Sequence, residues 1–361
     1  MIADKNKIFF WSFLIIISFL SFLSIWFFRP IIDGDGVTYL EAMKFLQHGT
    51  ITPHAPYRIL TAFLGMESVI FFSSIFGSIE SGWLILSILF YFLFAIFFYK
   101  IVFRIFKSST VAFLCGLFVM ANYAMICFGL DYWMDGGGWM FYALSLYFCL
   151  RYVESSDRKM LLYSAATIGV GALFKEYAFL AVVPIAVVLI YENWPKVTDS
   201  VKKAFVPALL ALTPVLLAFV YVYQKFNYTY FTWFALNHNH HIYPSRFVEY
   251  IKSLGSLYTF LAFLVIAGIY FFWKNGAEFV LEKKTRIFIL SVVLSSLPIF
   301  IWPAITQRIL FVTVPGAVLV AGFCFKRFEK RWVYFLPILF VYTIVNFTMN
   351  AYILPNFNLP F

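Results

Sequence analysis

Long apolar runs recur from one end of the chain to the other. They lie near residues 8–28, 59–76, 82–99, 110–129, 136–150, 160–174, 176–191, 204–223, 254–273, 287–306, 308–325 and 332–350. Many approach the roughly 20 residues that a helix needs to cross a bilayer. Since 63% of the 361 residues are hydrophobic and only 12% are charged, a water-soluble fold is excluded. The sequence therefore predicts an all-α, polytopic integral membrane protein.

The basic residues predict how the chain is oriented. If every run crossed from a cytoplasmic N-terminus, most clusters of Lys and Arg would face outside, against the positive-inside rule. The run 59–76 contains Gly65 and Glu67 and follows two prolines. If it lies on the outer surface instead, most of the 27 basic residues fall inside. We therefore expect eleven crossings, a cytoplasmic N-terminus and an outer C-terminus.

The same orientation predicts the layout of the molecule. Residues 1–361 form a single transmembrane domain of the cytoplasmic membrane, with residues 29–81 as the first outer loop and no separate soluble domain. Most of the basic residues lie in short loops, where they set orientation, so the net charge of +10 does not indicate a nucleic-acid partner. All five histidines and most acidic residues fall outside. We therefore expect any chemistry at the face towards the periplasm or exterior.

The first outer loop contains the stretch "IIDGDGVTYL". Tyr39, Ala42, Met43 and Leu46 follow it with helical spacing, which predicts a short amphipathic helix lying in the membrane interface. Asp35 stands where this helix would begin. It is either an N-cap or a carboxylate held ready as a general base or metal ligand. The preceding aspartate, at position 33, fits a turn equally well.

Three further outer segments carry polar residues. The segment "DYWMDGGGW" places Asp131 and Asp135 four residues apart, which is typical of a solvated turn with Asp135 as a helix cap. Lys175 and Glu176 alone join two apolar runs, as an interfacial pair or as part of a phosphate site. Arg308 stands at the outer end of a span, where an arginine either snorkels or binds phosphate.

The fourth outer loop contains "FALNHNHHIYPSRF", with His238, His240 and His241. Three histidines could bind a metal ion, although no acid or cysteine stands at the usual zinc spacing. Hydrogen bonding to a pyrophosphate or a sugar is an equal alternative.

Several of these stretches resemble the GT-C superfamily of membrane glycosyltransferases, of the protein mannosyltransferase and aminoarabinose transferase type. "DGDGVTYLEAMKFLQHG" is similar to the family's first loop, with Asp35, Tyr39, Ala42 and Gly49 as matches. "PYRILTAFL", "DYWMDGGGWMFYALSLYFCLR", "GALFKEYAFLAVVP" and "QRILFVTVPGAVLVAG" resemble later segments in the same order. They are matched by Pro56 and Arg58, by Asp135, by Lys175 and Glu176, and by Arg308 and Pro315. Many relatives have Asp-Glu in the first loop, whereas Gly36 follows Asp35 here.

The resemblance implies transfer of a sugar from a polyprenyl-phosphate donor to a glycan, lipid or protein hydroxyl, with inversion. It implies Asp35 as the general base, preferred to Asp33 for its spacing from Tyr39, with Asp33 or Asp135 orienting the reactants. Arg58, Lys175 and Arg308 would hold the donor phosphate. Candidates for further substrate contacts are Tyr39, Asp131, Glu176, His238, His240 and His241.

Two alternatives to this function stay open at the level of sequence. One is a transporter or flippase of lipid-linked sugars, and the other is a non-catalytic partner in envelope assembly. A transporter would more often have ionisable residues near the middle of the membrane, on broken helices in two matching halves, and no internal repeat is visible. No cofactor is firmly implied, although the aspartates of the first loop and Asp135 could bind a divalent cation.

Overall fold

The computed structural model describes residues 2–240, 243–275 and 282–349, and within these ranges it contains helices and no strand. The helices are α1 (Ile2–Phe28), α2 (Asp35–His48), α3 (Ala55–Phe76), α4 (Ile79–Phe106), α5 (Ser109–Met120), α6 (Tyr123–Phe128), α7 (Asp135–Ser155), α8 (Arg158–Ala172), α9 (Val182–Asn193), α10 (Val197–Phe226), α11 (Tyr230–His240), α12 (Arg246–Tyr258), α13 (Leu261–Asn275), α14 (Lys283–Leu294), α15 (Gln307–Leu310), α16 (Thr313–Arg327) and α17 (Phe335–Thr348). Short 3-10 helices cover Glu176–Ala181, Leu297–Ile301 and Glu329–Tyr334.

Seven of the helical segments are long and apolar enough to cross a membrane, or eight if α12 and α13, bent by 83°, form one broken span. Several predicted runs fall on shorter or less apolar helices, among them α5, α7, α8 and α16. The all-α, multi-pass architecture is thus confirmed. The number of eleven crossings stays a prediction.

Helix α3 meets the length and hydropathy of a span, so its position on the outer surface stays a prediction. Arg308 Nη2 lies 2.7 Å from Asp35 Oδ2, so these residues share one side of the bilayer. The prediction places eight other crossings between them, an even number that permits the contact. If those eight crossings hold, a crossing by α3 would make the number odd and would place Asp35 and Arg308 on opposite sides of the membrane.

The side of the α3–α4 connection can be measured by cysteine labelling. We expect a cysteine at Ser81 to react with a membrane-impermeant maleimide added from outside, and a cysteine at Lys107 to react only after permeabilisation. Both positions are exposed. The reverse pattern would contradict the surface position of α3.

The predicted interfacial helix in the first loop is present as α2. Tyr39, Ala42 and Met43 are buried, as the predicted helical spacing requires. Leu46 is also expected on the buried face, but Phe45 is buried there instead. Helix α3 is interrupted at Ala62, where φ is −153° and ψ is 32°. The N–H of Leu64 is freed by this break and donates to the carbonyl oxygen of Leu173, at 2.9 Å. The first loop is thereby tied to the end of α8, next to Lys175.

Candidate active site

Five charged side chains from distant parts of the sequence meet at one end of the bundle. They come from the start of α2, the start of α3, the start of α7, the turn after α8, and α15. In chain order they are Asp35, Arg58, Asp135, Lys175 and Arg308. All five are site residues predicted from the sequence.

Asp35 lies between two arginines. Its Oδ1 accepts from Arg58 Nη2 at 2.5 Å and its Oδ2 from Arg308 Nη2 at 2.7 Å. The expectation that Asp35 is an N-cap is wrong, because α2 begins at Asp35 itself and the capping residue is Gly34. Gly34 has φ 46°, a left-handed conformation that glycine adopts without steric cost. This turn leaves both oxygens of Asp35 free to bind the arginines.

The surroundings keep Asp35 ionised. Burial alone would raise the pKa of its carboxyl, but the charges of Arg308, Arg58 and Lys175 outweigh burial and hold the pKa well below its usual range. With its side chain 28% exposed, Asp35 still has access to a reactant. In this state it is a charged partner of the arginines and a weak base.

Arg308 bridges two carboxylates. Besides Asp35 it contacts Asp135, with Nη1 3.4 Å from Oδ2, and its guanidinium lies 4.2 Å from the ring centre of Trp133. It therefore does not snorkel into water. Asp135 is fully buried and the capping residue of α7 is Met134, so the expectation of a solvated cap at Asp135 is also wrong.

Tyr39 stands between the other two cations. The guanidinium of Arg58 lies 4.1 Å from its ring centre, and its hydroxyl accepts a hydrogen bond from Lys175 Nζ at 3.0 Å. Arg58 Nε also donates to Thr38 Oγ1 at 2.7 Å. Tyr39 is completely buried, so it positions these two cations, and its contact with a substrate stays a prediction.

Lys175 is buried rather than an exposed interfacial residue. Its Nζ lies 3.8 Å from Glu176 Oε1. Burial would lower the pKa of Lys175, but Glu176, Tyr39 and Asp135 raise it above its usual range, so the ammonium group stays protonated.

The three glycines after Asp135 form the first turn of α7 and are buried, not part of a solvated turn. A Cβ on Gly138 would lie 2.6 Å from Lys175 Cβ, and one on Gly137 would lie 3.1 to 3.3 Å from Phe90 and Phe174. The absence of side chains lets α7 pack directly against the turn that carries Lys175. The glycine run therefore positions this cation.

Substitution Gly138→Ala tests this packing. We expect it to displace Lys175 and to lower the free energy of unfolding by roughly 1–3 kcal/mol, the usual cost of overpacking. Gly136→Ala is the matched control, because its Cβ would make only an ordinary contact, at 3.5 Å. Thermal unfolding in detergent distinguishes the variants, and equal stability of the two would contradict the close approach.

Asp131 lies in the loop before α7 and has a different environment. Its Oδ1 accepts from the backbone N–H of Tyr132 at 2.8 Å and its Oδ2 from Trp133 Nε1 at 3.2 Å. Burial, followed by the nearby carboxylate of Asp33, raises the pKa of Asp131 to about 6. Asp33 itself is exposed and forms no ion pair with the cations among the residues described.

The raised pKa of Asp131 predicts a pH-dependent stability. Above pH 6 the folded protein carries an unfavourable buried charge, whereas between about pH 4 and 6 the folded state binds the proton more tightly than the unfolded chain. Asp131→Asn should therefore have a higher melting temperature than the wild type at pH 8, and this advantage should be clearly smaller at pH 5 and vanish only below about pH 4. A difference that is the same at both values would contradict the shift.

The remaining predicted site residues differ in their distance from the cluster of five charged side chains. Glu176 lies next to the cluster because its carboxylate contacts Lys175. His238 is exposed and forms no ion pair with the five residues among those described. The side chain of His240 and the whole of His241 lie outside the described part of the chain. Within that part, no three His, Cys, Asp or Glu side chains are grouped to hold a metal ion. Thr38 and Trp133, which contact Arg58 and Arg308, were not predicted from the sequence, although both stand within three residues of a predicted aspartate.

An apolar groove of about 950 Å³ adjoins the cluster. It lies between α2, α3, the end of α8 and α10. Two of its lining residues are close in the chain to cations of the cluster, since Ile59 follows Arg58 and Leu173 precedes Lys175 by two residues. Other lining residues include Leu46, Phe63, Leu209 and Leu217.

Known proteins resemble this chain in sequence and in fold. Residues 68–222 match the family model described as dolichyl-phosphate-mannose-protein mannosyltransferase. The structure is similar to the crystal structure of ArnT from Cupriavidus metallidurans bound to undecaprenyl phosphate, with a TM-score of 0.65 and 16% sequence identity. The match covers 91% of this chain and 62% of the ArnT chain. No curated protein matches the sequence.

The structural likeness confirms a GT-C fold, as the resemblance in sequence implies. The family model spans Asp131, Asp135, Lys175 and Glu176 and points to the same class. Both comparisons therefore relate the chain to membrane glycosyltransferases of the GT-C type.

Proposed function

We propose that the protein transfers a sugar from a polyprenyl-phosphate donor to an acceptor hydroxyl at the outer face of the cytoplasmic membrane. The observation that carries this proposal is the position of Asp35 between Arg58 and Arg308, with Lys175 nearby and an apolar groove alongside. The cations suit a phosphate and the groove suits an isoprenoid chain. The undecaprenyl phosphate bound to the ArnT neighbour supports a lipid phosphate of this kind.

Arg58, Lys175 and Arg308 are proposed to hold the donor phosphate. Arginine and lysine bind phosphate oxygens with strong charge-assisted hydrogen bonds, and they stabilise the negative charge that develops as the phosphate leaves. Their preorganisation by Tyr39 and Asp135 supports this role, because the cations need not be assembled when the donor binds.

Asp35 is proposed as the general base. The acceptor oxygen attacks the anomeric carbon, the bond from that carbon to the phosphate oxygen breaks on the opposite face, and the acceptor proton passes to Asp35. The configuration at the anomeric carbon is therefore inverted.

The arginines make Asp35 a weak base before the donor binds. Binding of the donor phosphate can change this basicity. We infer that the phosphate oxygens compete with Asp35 for Arg58 and Arg308. Loss of either arginine contact would raise the pKa of Asp35 towards its ordinary range and so increase its basicity.

The remaining predicted residues are assigned to the acceptor. Asp33, Asp131, Glu176 and His238 are proposed to form or border its binding surface, and Asp135 to orient Asp35 through their shared arginine. Three side-chain cations are proposed to hold the phosphate, so we expect turnover without an added divalent metal.

The test uses purified full-length protein, a polyprenyl-phosphate sugar, and glycan, lipid and protein acceptors. Release of polyprenyl phosphate together with a glycosylated acceptor is expected, and treatment with EDTA should leave the rate unchanged. Movement of the lipid-linked sugar across liposomes without turnover would favour a flippase. A protein with neither activity would fit a non-catalytic assembly partner.

A further inference from the structure

A second pocket, of about 570 Å³, opens at the other end of the helices that carry the candidate active site. It is formed by the ends of α7 and α9 and the starts of α8, α10 and α14. Helix α7 connects the two places, because it begins at Asp135 and Tyr152 lines the pocket. At about 1.5 Å per residue, roughly 25 Å of helix separate them. The charged lining residues are Arg158, Glu192, Lys202, Lys203 and Lys284.

Four cations and one carboxylate give this pocket an excess of positive charge. Glu192 is already satisfied, since it accepts from Tyr152 Oη at 2.6 Å and from Lys284 Nζ at 2.9 Å. Within the described part of the chain, Lys203 Nζ donates to the neutral amide oxygen of Asn193 and forms no ion pair. Among the residues that the structure describes, Arg158 forms no ion pair. Lys202 Nζ lies 4.0 Å from Asp199 Oδ1, an exposed pair of the kind that contributes little. The positive charge that the pocket offers to an anion therefore comes mainly from Arg158 and Lys203.

The position of the pocket favours a lipid over a soluble anion. Three helices begin there and two end there, so the opposed dipole ends largely cancel and the positive charge of the pocket comes from its side chains. Trp194, between α9 and α10, is 72% exposed, and the ring of Tyr191 lies 5.5 Å from Lys283 Nζ. Aromatic residues of this kind are typical of the headgroup level of a bilayer. Basic pockets between membrane helices at this level bind phosphate-containing headgroups.

We propose that this pocket binds the headgroup phosphate of an anionic membrane lipid in the leaflet opposite to the candidate active site. Arg158, Lys202 and Lys203 contact the phosphate oxygens, and the Glu192–Lys284 pair forms the floor. The site is independent of the proposed glycosyl transfer, because it shares no residue with the catalytic cluster.

Native mass spectrometry of the full-length protein in neutral detergent tests the proposal, with dioleoyl phosphatidylglycerol as probe and dioleoyl phosphatidylcholine as reference. We expect preferential binding of phosphatidylglycerol, weakened on the order of tenfold in Arg158→Gln/Lys202→Gln. Both side chains are exposed, so the fold should persist. Lys100→Gln/Lys330→Gln removes the same charge from two other exposed positions and should leave binding unchanged.

Removal of a negative charge from the pocket provides a second test. Glu192→Gln removes the single negative charge of the pocket and should tighten phosphatidylglycerol binding. Equal losses in the two double variants would overturn the proposal, because they would reflect only general attraction to the basic face. Displacement of the lipid by excess inorganic phosphate would also overturn it, and would assign the pocket to a soluble phosphate.

Discussion

Replacement of Asp35 by Asn is expected to lower turnover by about 10²- to 10⁴-fold, the usual contribution of a general base. The asparagine keeps the size of the side chain but cannot accept the acceptor proton. In the wild type, Arg58 and Arg308 each contact one carboxylate oxygen of Asp35. The neutral asparagine no longer balances the charge of these two arginines. We therefore expect the variant to bind polyprenyl phosphate at least as tightly as the wild type. The combination of normal binding and lost turnover assigns Asp35 to the chemical step.

The matched control for this experiment is Asp33→Asn. Asp33 is two residues away, is exposed, and forms no ion pair with the cationic cluster in the described ranges. We expect its rate to fall only a few-fold. Single-turnover release of polyprenyl phosphate and direct binding measurements separate the outcomes. If Asp33→Asn lost the activity and Asp35→Asn kept it, the base would have to be reassigned.

The sequence predicts the fold class well because the bilayer imposes simple rules. Apolar length determines which segments can cross, and the positive-inside rule assigns their sides. The contact between Arg308 and Asp35 agrees with the sides predicted for both residues. By contrast, length and hydropathy alone place α3 among the candidate spans. Only a long-range contact distinguishes a surface helix from a crossing one.

Local patterns identify the residues of the candidate site but misjudge their surroundings. An Asp at the start of a helix is typical of a cap, yet Asp35 and Asp135 both bind Arg308, which lies more than 170 positions further along the chain. Similarly, a Lys at a short helical turn suggests an interfacial residue, whereas Lys175 is buried against Gly138. Such environments depend on tertiary packing, which a single sequence does not display.

Replacement of Arg308 by Gln is expected to have the second large effect, on stability and activity together. Asp135 is completely buried, and among the described residues it forms its ion pair with Arg308. Removal of one partner from a buried ion pair leaves an uncompensated charge, which typically costs about 3–5 kcal/mol. Loss of a group that stabilises the leaving phosphate should also reduce turnover by roughly 10²- to 10³-fold. A single variant cannot separate these two contributions.

The double variant Arg308→Gln/Asp135→Asn separates them. Asn at position 135 removes the buried charge, so the double variant should regain a large part of the stability lost in Arg308→Gln. The expected coupling is about 1–3 kcal/mol by a double-mutant cycle. Turnover should stay low in the double variant, because Asp35 and the donor phosphate still lack the guanidinium. Recovery of both melting temperature and turnover would instead make Arg308 a structural counterion of Asp135, with Arg58 and Lys175 left to hold the phosphate.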